Sequence, residues 1–594
     1  MEYNKGLRKY ENCILTFAVM AVNVIVMALC FDFYYDLNDD TMMKDIMSGV
    51  YSGVPDGHNM QTLYPLGALI ALCYRLCRQI PWYGLFLCLC QFGCFYLIGV
   101  RLCAAADSQE GKDKRNGVLG KILLLAVLTL FQWGACLLHL INIQYTITCA
   151  IMSATAIFLF LTTPKEISTQ QFVVKNIPAI VLVIVSYQLR TEMLLLTFPF
   201  ICLAGLYSIT EEKKIFDKET LYKYGGVLGI ILAGMALSSA ADYAAYCRED
   251  WKDFREFFDA RTTVYDFYPE LITDEEYSEE LSALGVTVAQ QTLLENYNFG
   301  LDDAIDTQML TDMADYASHA LGGAKDWTAI AREQISYYRY RTFHEQDAPY
   351  NIIVIWAYVA VAAAGILLCH RYAFVWQLML LIAARSAVWM FILMRGRDPV
   401  RITHSLYLVE FALLSALLIR MLCLYRTDAR KNSVPLGMTV LLILLMAGSM
   451  TSSIPEVKED QALRERVNVD WYEIDAYCRM HSQNFYFEDV YSTVGFSQKI
   501  FEHTDNGYAN YDILGGWICK SPLYREKLRR FDIVLASEAL IGQEYVYVIM
   551  SEAEASERGT GWIAEYYESQ GVKVIVEETD RIGARYLVYR VCEE

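Results

Sequence analysis

The sequence predicts a polytopic α-helical membrane protein of about eleven spans, N-terminus in and C-terminus out, with an outer helical loop domain and a C-terminal α/β domain outside the membrane. Three observations predict it. Of 594 residues, 55% are hydrophobic and mean hydropathy is +0.24, too apolar for a soluble core, in a chain too long for a single one. The apolar residues fall into runs long enough to cross a bilayer. The acid is concentrated in two blocks: 247–348 holds 8 basic and 22 acidic residues, and 456–594 holds 15 and 26, so the rest of a chain of net charge −19 is mildly basic. A charged fraction of 20% excludes disorder, and the acidic balance argues against a nucleic-acid partner.

Spans are expected at 12–31, 82–103, 119–138, 144–162, 176–188, 193–208, 225–246, 350–369, 372–394, 404–424 and 435–454. The fifth and sixth are short and are joined by Gln188-Leu189-Arg190-Thr191-Glu192. No small-residue cleavage site follows the first run, which therefore reads as an anchor. Residues 63–80 contain Pro65, Arg75, Arg78 and Gln79 and read as an interfacial helix along the membrane. With that choice the short inner segments hold 18 Lys/Arg and the short outer ones 7. Making 63–80 a span would place 15 of the 18 outside, against the positive-inside bias. Four parts follow: a membrane domain at 1–246 with an outer acidic-pair loop at 32–80, a helical loop domain at 247–348, membrane spans at 349–455, and the α/β domain at 456–594.

The loop domain reads as mainly helical, with one helix over Ile330–Arg341. Its stretch Phe257 to Tyr268 sets polar groups between aromatic rings, as a sugar-contacting surface would; the bland reading is a helix end packed on the membrane domain. In the C-terminal block, 471–481 and 560–570 read as helices. Residues 484–491, 544–550, 572–577 and 585–591 read as strands, rich in β-branched and aromatic residues. No phosphate loop or nucleophile elbow is present there, which suits an acceptor-guiding or regulatory domain. Residues 510–517 read as a loop of unassigned role. The 17 cysteines show no paired CxxC spacing, so a zinc site has no support, and Cys478, Cys519 and Cys592 are expected free.

The chemistry-bearing candidates lie at outer span ends. Asp39 and Asp40 open a helix whose apolar positions run Met42, Met43, Ile46, Met47, Val50, and which ends near Gly49 or Gly53. A carboxylate beside the bilayer can act as general base toward a hydroxyl. The bland alternative has Asn38 or Asp39 capping the helix and Asp40 pairing with Lys44. Arg395, Arg397 and Arg401 break the charge bias in one outer loop, and Arg190 stands at another membrane edge. Guanidinium forks there would bind phosphate, unless they pair locally, Arg397 with Asp398 and Arg190 with Glu192. His139 and His404 read as satisfied interfacial residues. No metal site is assigned and no cofactor is certain, although Asp40 could hold a divalent cation.

The order of first span, acidic pair opening an outer helix, interfacial helix, and a second span ending in Arg101 resembles the GT-C superfold of membrane glycosyltransferases. That group includes protein mannosyltransferases and aminoarabinose transferases. Where its interfacial helix opens with a His-Pro-Pro-Leu-Tyr type run, this chain has Thr62-Leu63-Tyr64-Pro65-Leu66, lacking the His and the Pro pair. The resemblance is by motif through the second span and by topology beyond it. It implies a polyprenyl-phosphate sugar donor, inversion at the sugar carbon, Asp39 as the catalytic carboxylate with Asp40 its acidic neighbour, and an acceptor hydroxyl on a glycan, lipid or protein. The implied location is the outer face of a plasma membrane. The absence of an Asn-x-Ser/Thr acceptor motif favours a bacterial source. Two other functions compete: an envelope polysaccharide polymerase or ligase, independent of Asp39, and a non-catalytic transporter or scaffold, for which the paired halves of many transporters are missing.

Overall fold

The computed structural model describes residues 2–108, 114–366, 373–424, 433–502, 507 and 509–594. The inner basic segments at 109–113, 370–371 and 425–432, used in the charge count, lie outside them. Among the described residues, seven helices are long and apolar enough to cross a membrane, from Tyr10–Cys30 to Val400–Met421. They match seven of the eleven expected spans. The short pair is longer than the sequence suggested: Thr169–Leu189 and Thr191–Thr210 are full helices that meet at Arg190.

The other four expected spans are helical but differ in kind. Val118–Gly134 and Tyr350–Ala364 are shorter apolar helices. Tyr145–Leu161 is buried on all sides, which explains its uniformly apolar sequence. It packs against Trp82–Ser108, Thr169–Leu189, Thr191–Thr210 and Val400–Leu424, so it is the hub of the bundle. The last expected span, 435–454, is the start of a helix of 48 residues, Ser433–Met480, which passes through Pro455 and the expected domain boundary without a break. Its polar half is supported by i,i+4 pairs, Arg464–Asp460 at 2.7 Å and Arg479–Asp475 at 2.8 Å.

The expected interfacial segment forms the helix Tyr64–Leu76, with Pro65 in its first turn. Its 13 residues rise only about 20 Å, against about 30 Å of hydrocarbon.

The C-terminal block is α/β as expected. Its sheet runs in the order Tyr511–Ile513, Phe485–Glu488, Val546–Ser551, Tyr586–Glu593, Val574–Ile582. The first three strands are parallel, with Glu488 level with Ile513 and Phe485 with Val546; the last two are antiparallel. The loop block is helical, including Glu249–Thr262 and Trp327–Phe343. The two acidic blocks are not independent units: Phe254, Phe257, Phe299, Phe485, Phe487 and Val548 share one core, which also takes Ile46 and Tyr51 from the acidic-pair helix. Lys520 ties them further by donating to the carbonyls of Asp302 and Ile305 at 2.5 and 2.7 Å. Cys478, Cys519 and Cys592 are free.

The membrane orientation has a direct check. Ser556 is exposed in the C-terminal block. With the exposed Cys30, Cys202 and Cys247 changed to serine, a cysteine placed at Ser556 is expected to react with an impermeant label in intact cells. Labelling only after lysis would invert the topology.

Candidate functional site

The first helix delivers the chain to a stitched junction. Tyr34–Tyr35 pairs in parallel with Asn142–Ile143, the Tyr35 amide donates to the Gln498 carbonyl at 3.0 Å, and Arg464 bridges to Asp36 at 2.8 Å. Bundle, long helix and C-terminal domain thus all fix the entry to the helix Asn38–Ser48. Leu37 is its N-cap and no side chain caps it, so Asn38 and Asp39 are not caps. Asn38 instead donates to the Val494 carbonyl at 3.2 Å. The helix stops at Gly49, whose φ of +83° suits glycine.

The two aspartates have different environments. Asp39 is partly exposed, accepts a hydrogen bond from the Trp517 indole at 3.1 Å and lines a cavity of about 330 Å³. Asp40 is fully buried and outside that cavity. Tyr83 donates to its Oδ1 at 2.7 Å, while Oδ2 has no partner. Burial pushes the Asp40 carboxyl well above the usual carboxylate range, against the Tyr83 hydrogen bond. Lys44 does not pair with it, but with Asp45 at 2.5 Å. Among the described residues, no group of three or more His, Cys, Asp or Glu could hold a metal ion, and a hard divalent cation takes several oxygen ligands, more than one enclosed carboxylate supplies.

Residues at the starts of four helices, Asn38–Ser48, Tyr145–Leu161, Thr191–Thr210 and Val400–Leu424, lie within electrostatic reach of Tyr145. Tyr145 lies in the field of Arg190, Asp39, Asp40 and Arg401, and Arg190 in that of Asp39. Arg190 sits over the Tyr145 ring, 5.1 Å from its centroid, donates to Gln61 and pairs with the exposed Glu192 at 3.1 Å. Gln61 also accepts from the Tyr145 hydroxyl at 3.3 Å. Among the described residues, no carboxylate pairs with Arg401. Guanidinium groups beside helix starts suit an anion.

The other two arginines are elsewhere engaged. Arg397 pairs with Asp266 at 3.1 Å rather than with Asp398, which accepts from Arg341 and Tyr337. Arg395 is exposed and lies over Phe391, 4.5 Å from its centroid. Both therefore fasten the turn at 263–267 to the bundle, since each also lies over Phe267. The aromatic stretch is mixed: Phe257 and Val264 are core, whereas Arg261 faces the cavity.

Sequence reasoning gave no site role to several residues that the fold brings in. Arg261 is 8% exposed, has an unpartnered Nε and lies in the field of Asp39. Glu488 and Asp512 reach the same cavity from the ends of adjacent parallel strands, with Lys527 3.3 Å from Asp512. His139 and His404, 265 residues apart, are hydrogen-bonded to each other at 2.8 Å. The only local signal for any of these was polarity at the end of an apolar run.

Burial raises the Glu488 carboxyl to about 8, aided by Asp512 and opposed by Lys527. A carboxyl raised on folding contributes stability that is fully present below its unfolded value, about 4.3, and is lost as pH rises through about 8. Glu488→Gln is therefore expected to flatten the fall in Tm between pH 5 and 8.5, read by thermal unfolding at constant salt. An unchanged slope would show that other groups set it.

No family model and no curated protein matches the chain. One solved structure does. The chain is similar to the crystal structure of ArnT from Cupriavidus metallidurans bound to undecaprenyl phosphate. Identity is 11% and the TM-score 0.37, over 96% of this chain and 97% of that one.

Proposed function

We propose that this protein is a membrane glycosyltransferase that moves a sugar from a polyprenyl-phosphate donor to an acceptor hydroxyl at the extracytoplasmic face. The observation that carries this reading is that Tyr145 lies in the field of an accessible carboxylate, Asp39, and of two arginines, Arg190 and Arg401. A sugar phosphodiester needs both: a base for the incoming hydroxyl and stabilisation of the departing phosphate.

In this mechanism Asp39 takes the acceptor proton as the acceptor oxygen attacks the anomeric carbon. The bond from that carbon to the phosphate oxygen breaks with inversion, and the electron pair leaves on polyprenyl phosphate. Arg401, with no carboxylate to neutralise it among the described residues, and Arg190 hold the new charge. The Tyr145 hydroxyl and Gln61 keep Arg190 in place. Asp40 has a different task. Buried and held toward its neutral form, it anchors the helix start through Tyr83 and adds little negative charge beside Asp39.

Purified protein is expected to bind undecaprenyl phosphate in a salt-sensitive manner, with Arg190→Ala and Arg401→Ala both weakening it. Binding that is absent, or unchanged in both variants, would remove the donor site from this reading.

A further inference from the structure

The cavity beside Asp39 has features that base and phosphate site do not use. Its far wall is the carboxyl edge of the parallel strands Phe485–Glu488 and Tyr511–Ile513. Glu488 is 3% exposed and its Oε1 has no partner. The walls between are aromatic: Trp517, Tyr297, Tyr491, and Trp471 stacked on Phe496 at 4.4 Å. Tyr297 is held at φ +63°, a costly conformation for a bulky residue, and a Cβ on Gly515 would meet its carbonyl oxygen at 1.9 Å. The segment 510–517, read as a loop from sequence, is instead a strand at Tyr511–Ile513 followed by a turn that presses on Tyr297 to shape the cavity.

We infer that this cavity is the acceptor subsite and that its ligand is a carbohydrate. The inference rests on the glycosyltransferase reading and names its acceptor class. Pyranose rings present apolar C–H faces to aromatic planes and hydroxyls at their rims, which both donate and accept. Those rims match Glu488, Asp512 and Arg261, whereas an acyl chain would leave these buried polar groups unpaired. The volume of about 330 Å³ falls in the range of small-molecule sites. One acceptor hydroxyl would face Asp39: its oxygen forms the new bond to the donor's anomeric carbon, its proton passes to Asp39, and the donor's phosphate leaves with the electron pair.

The test is an array of neutral, amino and acidic oligosaccharides, alongside Ser/Thr-containing peptides, probed with the full-length protein in detergent. Undecaprenyl phosphate binding is measured separately on the same preparation. At least one oligosaccharide class is expected to bind, and Glu488→Gln to weaken it by up to about tenfold, as for the loss of one hydrogen bond. Tyr491→Ala, at a side chain 52% exposed and so removable without opening the core, is expected to weaken it as well. Peptide binding, no saccharide binding, or saccharide binding unchanged in both variants overturns the inference. Loss of undecaprenyl phosphate binding alone would instead sink the donor reading and leave a carbohydrate site.

Discussion

Asp39→Asn is expected to lower sugar transfer by about 10²–10⁴ while the protein folds and inserts normally, because a positioned general base typically contributes that much. The amide keeps an oxygen for the Trp517 indole hydrogen bond and keeps the side-chain volume, so only the proton acceptor is lost. A structural role for Asp39 would act through the helix start. Leu37 is the N-cap, however, and no side chain caps the helix, so the remaining effect is the loss of one charge near a dipole, about 0.3–1 kcal/mol. Rate and thermal stability must therefore separate. Asp40→Asn is expected to cost less rate, since Asp40 does not reach the cavity. Full activity of Asp39→Asn would sink the assignment of Asp39 as the catalytic base.

Arg401→Ala is expected to weaken donor use by roughly one to two decades, as for one hydrogen bond between charged groups at about 1.5–3 kcal/mol. The site makes this a clean deletion. Among the described residues no carboxylate pairs with Arg401, so its removal strands none. Arg397→Ala is the contrast: it orphans Asp266 and should loosen the turn at 263–267 rather than the donor. Arg401→Lys should recover only part of the loss, since an ammonium cannot form the bidentate fork. Transfer rate against donor concentration for the three variants reads this out. If Arg401→Ala and Arg401→Lys both match the wild type, Arg190 becomes the principal phosphate ligand.

What was legible in the sequence follows from the range of each signal. Apolar runs and a pair such as Asp39-Asp40 are local, and the helices and the acidic helix start lie where the pattern placed them. The helix Tyr64–Leu76 was legible too, because Pro65 marks its start and Arg75 its last turn. Hydropathy could not distinguish Tyr145–Leu161 from a lipid-facing span, since a helix buried in protein and one buried in lipid are equally apolar. Nor could it show that Pro455 sits within one continuous helix. The site was half legible for the same reason. An unpaired arginine and a paired one read alike until the fold brings Asp266 to Arg397 across 131 residues. Glu488, Asp512 and Arg261 carry no motif; they matter because two strands and the end of the helix Glu249–Thr262 bring them to one cavity.

The central claim is that Asp39 and the adjoining cationic site act together on a sugar phosphodiester. The most direct measurement is release of polyprenyl phosphate from a labelled polyprenyl-phosphate sugar in proteoliposomes, for the wild type and Asp39→Asn side by side. Release by the wild type, with the variant slower by about two decades or more, is the predicted result. Equal release by both, or none by the wild type with donor and a glycan acceptor present, would contradict it.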